Sequence, residues 1–293
     1  LHYWPLFNFR PQLILFMKFH HISSLFISIL LFGSCQSSGP ETSTDNNPFA
    51  SGDWVDLSYT YDENTIYWPT ADGFKLDTAF EGHTEGGYYY SAFNISTAEH
   101  GGTHMDAPIH FAEGAQSTDQ LRLDQLTGRA VVVDVSTPVA SNVDHLISVD
   151  DIKGWEVENG PLPDDVIILF RTGHGKHWPN AEKYLGTTKK GDEGVAELHF
   201  PGIDPELAQW LVDNRKVKAI GIDTPSIDYG QSTDFMTHRI LFAKNIPAFE
   251  NVANLNDLPV KGAYVVALPM KIKGGSGGPV RIAAFIAANS PKK

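Results

Sequence analysis

Four side chains able to hold a divalent metal ion fall within eleven residues: His100, His104, Asp106 and His110, in the segment His100-Gly-Gly-Thr-His104-Met-Asp106-Ala-Pro-Ile-His110. Imidazole and carboxylate are the ligands open to this chain. Its one cysteine, Cys35, allows neither a thiolate cluster nor an internal disulfide. Two histidines four apart would share one face of a helix, as in zinc proteases. That reading fails here, because Gly101 and Gly102 weaken a helix and Pro108 removes a donor and holds Ala107 extended. The segment therefore predicts a glycine-loosened loop running into an extended stretch. Along that stretch His104 and Asp106 point to the same side, since side chains alternate with period two. The loop can fold His100 back to join them in a His-His-carboxylate set. A divalent cation held so lowers the pKa of water from about 15.7 toward about 7, supplying a nucleophile at neutral pH. The donor set suits zinc or manganese and does not choose between them.

The elements that must position this set read as a mixed α/β domain of many strands with a few helices between them. Short runs rich in β-branched residues predict strands at 130–135 (AVVVDV), 166–170 (VIILF), Val217–Ile222 and 264–268 (YVVAL). Pro205–Asn214 predicts a helix with Leu207, Trp210 and Leu211 on one face, Asp204 as N-cap and Pro205 at the first position. A second helix is predicted at 148–159. No tandem repeat and no second linker interrupts the chain after Trp54, so 54–293 reads as one domain.

The formal net charge of −13 disfavours nucleic acid as a partner and disfavours electrostatic attachment to an anionic membrane. The N-terminal region has the grammar of an export signal. Residues 1–16 precede the first methionine and read as untranslated; Met17-Lys18 starts a signal whose apolar run, 22–32, is shorter than the roughly 20 residues of a spanning helix. Gly33-Ser34-Cys35 resembles the lipobox of bacterial lipoproteins. That resemblance implies a signal peptide ending at 34, lipidation of Cys35 and a polar tether over 35–53. The membrane is then reached by the lipid anchor alone. The uncharged Gln36 points to the outer membrane, with the protein facing the periplasm.

Position for position, HGGTHMDAPIH matches the His-x-Gly-Thr-His-x-Asp-x-Pro-x-His signature of the cyclase family, which includes bacterial kynurenine formamidase and isatin hydrolase. The likeness extends over about 54–285. It takes in Arg171-Thr172-Gly173, Phe200-Pro201-Gly202, Gly221-Ile-Asp-Thr-Pro-Ser-Ile-Asp228, residues 238–254, Ala267-Leu-Pro-Met270 and Gly274-Gly275. The resemblance implies the family's swivelling β/β/α single domain, as a homodimer or higher homo-oligomer. It implies His100, His104 and Asp106 as ligands of a first metal, and His110 as a catalytic histidine beside it. His238 and Glu250, twelve residues apart, have the spacing of a second site shared with Asp106, so one or two metals per chain are implied. The implied activity is metal-dependent hydrolysis of a small-molecule amide, on a carbon–nitrogen bond other than a peptide bond. The amide is an N-formyl aryl amide such as N-formylkynurenine or a cyclic amide such as isatin. His110, with an ordinary pKa of about 6.5, would pass a proton to the leaving amine.

Two further readings use the same residues: a non-catalytic, metal-containing lipoprotein that binds a small ligand, and a cyclase or dehydratase in which the activated water acts as a base. His110 favours catalysis, since a binding site needs no proton relay. Ser226 is a candidate to hydrogen-bond substrate, and Asp223 and Asp228 are candidates to orient ligands; turn chemistry around Pro225 would equally account for all three. His174, His177 and Trp178 read as substrate mouth or exposed loop. Trp68-Pro69 and Tyr88-Tyr89-Tyr90 read as an aromatic wall, or as core or dimer interface. His83, His145 and His199 carry no spacing signal. No Gly-x-Ser-x-Gly precedes a helix, so Ser-His-Asp catalysis has no support.

Overall fold

The β-branched runs form the middle of one sheet that closes on itself. The computed structural model describes residues 49, 51–288 and 290. Among these, the strands are β1 (Gly52–Asp56), β2 (Lys75–His83), β3 (Tyr89–Ser96), β4 (His104–Asp106), β5 (Thr127–Asp134) and β6 (Leu146–Ile147). There follow β7 (Val166–Arg171), β8 (Gly202–Ile203), β9 (Val217–Ile222), β10 (Ala248–Glu250), β11 (Lys261–Pro269) and β12 (Gly277–Ala287). The large sheet has the order β1-β12-β11-β5-β7-β9-β10-β4, and β4 also pairs with β12, which closes the ring. Strands β5, β7, β9 and β10 run parallel, while β11, β12 and β4 complete the circle antiparallel. This is the mixed sheet with few helices that the resemblance implies.

Period-two alternation sorts the strand residues into two cores. Ala130, Val132, Ile167, Leu169, Ala219, Phe249, Met105 and Ile282 meet inside the ring. Val131, Val133, Ile168, Phe170, Ile220 and Ile222 face outward and pack under helical side chains, among them Ile152, Trp155, Leu207, Leu211 and Leu241. Each such large side chain, buried, contributes roughly 1.5–3 kcal/mol. Strands buried on both faces read as continuous apolar runs, which is why these were legible. The helix Pro205–Asn214 forms as predicted, with the Asp204 side chain accepting from the Glu206 N–H at 2.8 Å. The second helix is Val149–Asn159; Ser148 stands outside it as the cap, its own N–H donated to Asp151 at 2.7 Å.

Three further features stand out. β12 begins Gly277-Gly278-Pro279, residue types disfavoured in strands, and its pairing with β4 and β11 holds it in the sheet. The fold also begins earlier than Trp54: β1 starts at Gly52, and Phe49 stacks on Trp54 with ring centroids 5.8 Å apart, so the last residues assigned to the tether belong to the domain. The expected signal peptide, Cys35 and the tether up to 48 lie outside the described residues. The third is a hairpin, β2 with β3, that pairs only with itself. Leu76, Phe80, Tyr89, Tyr90, Phe93 and Ile95 on it are all exposed. Among the described residues, no helix is long and apolar enough to cross a membrane.

Ring closure positions the chemistry. On β4, Met105 is fully buried inside the ring, so His104 and Asp106 face outward. Glu250 of β10 lies directly across from His104, and Gly277 of β12 directly across from Asp106.

Candidate metal centre

His104 and Asp106 leave β4 on one side, as the alternation predicts, and the chain before β4 brings His100 back to them. The two glycines in that turn serve close approach rather than looseness. A Cβ on Gly101 would lie 2.0 Å from the Tyr67 ring, and Gly102 takes a left-handed φ of +57°. The Tyr61 hydroxyl donates toward the carbonyls of Gly101 and Thr103, at 2.8 and 2.6 Å. The Gly102 carbonyl accepts from His104 Nδ1 at 2.9 Å and from the Asn251 amide at 2.7 Å. The loop is clamped. Beyond β4, Pro108 opens a short 3-10 turn that carries His110 back over the cluster, where its ring stacks on His100 with centroids 3.9 Å apart.

The six side chains form one cluster around two buried carboxylates. Asp106 Oδ1 faces His100 Nδ1 at 2.7 Å and His104 Nε2 at 3.1 Å, while its Oδ2 faces His238 Nε2 at 3.2 Å. Glu250 spans the same pair of histidines, with Oε2 at 3.3 Å from His104 and Oε1 at 3.2 Å from His238. His110 has a ring nitrogen within 4.8 Å of ligand atoms on both His100 and Asp106. The expected two sets, His100/His104/Asp106 and Asp106/His238/Glu250, are therefore adjacent, with Asp106 common to both.

The electrostatics call for positive charge. A carbonyl oxygen only accepts, so His104 Nδ1 carries the ring hydrogen and Nε2 turns a lone pair toward two carboxylate oxygens. That Nε2 is buried and neither oxygen lies in line with it for a hydrogen bond. Acceptors held together in this way need a proton or a metal ion between them. Burial opposes charge on His104, yet Asp106 and Glu250 outweigh it and hold its pKa at about 10. Burial would likewise raise the Asp106 carboxyl, but His100, His104 and His238 keep it well below the ordinary carboxylate range. The donors are imidazole and carboxylate only, which fits a borderline-to-hard divalent cation. His110 differs from the rest: burial pulls it down to about 4, against the nearby Asp106, so its ring is neutral at pH 7.

Asp228 braces this arrangement and Asp223 does not. Asp228 Oδ2 accepts from His238 Nδ1 at 2.5 Å, which aims the His238 Nε2 lone pair at Asp106 and Glu250. Asp223 instead accepts from Thr172 N–H and hydroxyl and from Gly173 N–H, tying down a loop away from the cluster. Ser226 lines the cavity over the cluster, and its Oγ accepts from Asp228 N–H at 3.2 Å.

That cavity has a volume of about 300 Å³, with Tyr67, Trp68, Phe111 and Phe235 among its walls. Trp68 stands where the sequence suggested an aromatic wall. Tyr88, Tyr89 and Tyr90 do not; they sit exposed at the tip of the hairpin. His174, His177 and Trp178 are also absent from the lining. His174 is buried with Nε2 on the Tyr184 carbonyl at 2.7 Å, and Trp178 stacks on Tyr59 at 4.1 Å. His145 and His199 pair with Asp151 and Asp144 elsewhere. Sequence reasoning missed Phe111, Phe235 and Asn251. Phe111 had a signal, as the neighbour of His110, while Phe235 had none: it enters the wall because its left-handed backbone, φ 51°, turns it inward ahead of the helix Met236–Phe242.

Replacing Asp228 by Asn keeps the shape but lets an amide N–H face His238 Nδ1, which moves the ring hydrogen to the nitrogen that addresses the carboxylates. Affinity for zinc or manganese, measured by chelator competition, is expected to fall about 10–100-fold in Asp228→Asn. Equal affinity in both proteins would show that Asp228 does not set the His238 tautomer.

The family model named Cyclase matches residues 55–229, more than half of the 293-residue chain and inclusive of the 100–110 segment; His238 and Glu250 lie beyond that span. Isatin hydrolase of Roseibium aggregatum is 32% identical over 196 residues, covering 64% of this chain and 72% of that protein. Kynurenine formamidase of Salinibacter ruber is 30% identical over 233 residues, covering 78% and 94%. A solved structure of isatin hydrolase A from Labrenzia aggregata, bound to benzyl benzoate, aligns with a TM-score of 0.72 at 31% identity, covering 80% of this chain and 94% of that one. The fold, the clustered histidines and carboxylates and these matches agree, and the chain belongs to the cyclase family of hydrolases.

Proposed function

We propose that the chain hydrolyses a small aryl amide, either an N-formyl aryl amide or a cyclic amide of the isatin type, with one or two divalent cations, zinc or manganese. The observation that carries this reading is the pair of buried carboxylates shared among three imidazoles at the base of an aromatic cavity. His100, His104 and Asp106 would hold the first cation, and Asp106, His238 and Glu250 a second. Relatives named isatin hydrolase and kynurenine formamidase support the substrate class. The walls suit it as well, because flat rings of Tyr67, Trp68, Phe111 and Phe235 favour a flat aryl group between them.

A divalent cation, when bound, polarises the amide carbonyl and lowers the pKa of water. The remaining work falls to the chain itself. His110 is neutral at pH 7 and takes a proton from the attacking water; the imidazolium so formed sits near the Asp106 and Glu250 carboxylates. It then gives that proton to the leaving nitrogen, so one group serves as base and acid in turn. Ser226, already accepting from Asp228 N–H, keeps its hydroxyl hydrogen for a substrate oxygen.

The purified protein, supplemented with zinc or manganese, is expected to turn over N-formyl aryl amides or cyclic amides. The variant His110→Ala should keep its metal and lose about 10²–10⁴ in turnover. Metal lost together with activity would make His110 a ligand, and undiminished turnover would remove it from the mechanism.

Address and assembly belong to the same proposal. Lipidation at Cys35 would fix the enzyme to a membrane despite its negative charge, since several acyl chains together anchor where one, at roughly 0.8 kcal/mol per buried methylene, holds only marginally. Fractionated cells should then carry the wild type in the outer membrane, and Cys35→Ala should be missing from it. Wild type found in the cytoplasm with residues 17–34 still attached would end that reading. A homo-oligomer draws support from the β2–β3 hairpin, because an isolated hairpin is marginal in water and this one exposes Phe80, Tyr89 and Phe93. Light scattering is expected to give at least a dimer, and a smaller species for Phe80→Ser with Phe93→Ser. A monomeric wild type contradicts it.

A further inference from the structure

Outside the cavity lining, a second chain of hydrogen bonds ends on His100, and its direction assigns two residues a role. His100 Nε2 meets Ser276 Oγ at 3.0 Å, and Ser276 Oγ donates to Glu99 Oε2 at 2.6 Å. The same Glu99 oxygen accepts from Ser276 N–H at 3.1 Å. Ser276 with His100 and Asp106 has the connectivity of a Ser-His-Asp triad, and the residues Gly274-Gly-Ser276-Gly-Gly278 even spell Gly-x-Ser-x-Gly. The polarity is reversed. A serine hydroxyl has one hydrogen, the Glu99 carboxylate takes it, and Ser276 Oγ is left to accept from His100 Nε2–H. Nε2 then carries a hydrogen, and a cation at the site shared with Asp106 Oδ1 would take the place of any hydrogen on Nδ1, which lies 2.7 Å from that oxygen.

The surrounding backbone is shaped for this contact. A Cβ on Gly277 would lie 2.5 Å from His100 Cε1, and one on Gly275 would lie 2.7 Å from Glu99 Oε1. The Ser276 carbonyl accepts from Ala107 N–H at 2.8 Å, and Thr118 Oγ1 holds the Gly275 carbonyl at 3.0 Å. These contacts make the glycine-rich segment a fixed seat.

We propose that Ser276 and Glu99 are positioning residues that hold His100 as its Nε2–H tautomer and aim Nδ1 at the cation site it shares with Asp106. The proposal rests on the metal reading above. Zinc affinity, measured by chelator competition, is expected to fall about 10–100-fold in Ser276→Ala, with the melting temperature of the metal-free protein unchanged. Ser276→Thr, which keeps the hydroxyl, should restore the affinity. Glu99→Gln should fall between, because its carbonyl can still accept from Ser276 while its amide can also donate and reverse the chain. Zinc bound as tightly by Ser276→Ala and Glu99→Gln as by wild type overturns the proposal. Turnover lost from Ser276→Ala at unchanged zinc affinity overturns it too, and makes the serine a nucleophile. A wild type that takes up no zinc or manganese refutes the metal reading itself.

Discussion

Asp106 carries its carboxylate into the interior with both oxygens facing imidazole nitrogens, Oδ1 toward His100 and His104 and Oδ2 toward His238. Glu250, a second buried carboxylate, faces two of the same rings. Burying an ion costs several kcal/mol even after relaxation, and two of like sign raise that further unless positive charge lies between them. The rest of the site can be understood as a response to this demand. His104 and Asp106 are both displaced from ordinary titration toward the charged pair, and His238 moves the same way, its pKa raised well above the usual value despite burial. A divalent cation meets the demand more fully than protons do, since it brings two charges and accepts several ligands at once.

The carboxylates are held there by the closure of the sheet. β4 is three residues long and pairs on both sides, with β10 and with β12. One pairing sets Glu250 across from His104, and the other brings the Gly275–Gly277 segment against His100 and Asp106. Met105, between His104 and Asp106, anchors β4 in the inner core. A slip of one residue in β4 would send Met105 outward and His104 and Asp106 into hydrocarbon, so register is specified by the core and by the polar cluster together. Forming the ring and assembling the site are one event.

His110 shares the neighbourhood and has a different character. Its ring lies flat on His100 and edge-on to Phe111, with centroids 3.9 and 4.5 Å away. Packing of that kind removes water without supplying a hydrogen-bonded carboxylate, so burial dominates and the ring stays neutral. Two histidines within four residues of Asp106 thus diverge: His104 is held in the field of two anions, while His110 is kept as a free base at the edge of the cavity. That division suits a site in which some imidazoles bind and one moves a proton.

The clustered His100, His104, Asp106 and His110 were legible because their geometry is local: glycines and a proline exclude a helix, and strand alternation puts His104 and Asp106 on one side. The strands 130–135 and 217–222 and the capped helix Pro205–Asn214 were legible for the same reason, since β-branching, caps and periodicity act over a few residues. Likeness to a family, not spacing alone, brought in His238 and Glu250. Residues whose roles depend on distant partners could not be read this way. Ser276 meets His100 across 176 positions of chain, and Asp106 meets His238 across 132. Asp223 and Asp228 look alike in sequence, five residues apart around one proline, and only packing decides that Asp228 backs a histidine while Asp223 ties a loop. The aromatics divide for a related reason: Tyr88–Tyr90 and Trp68 each left wall, core and interface open in sequence, and whether a ring faces a cavity or solvent is set by how distant segments pack around it. Composition and local pattern determined which residues could do chemistry; closing the sheet decided which of them meet, because a lone pair or a carboxylate acquires its role from the atom opposite it.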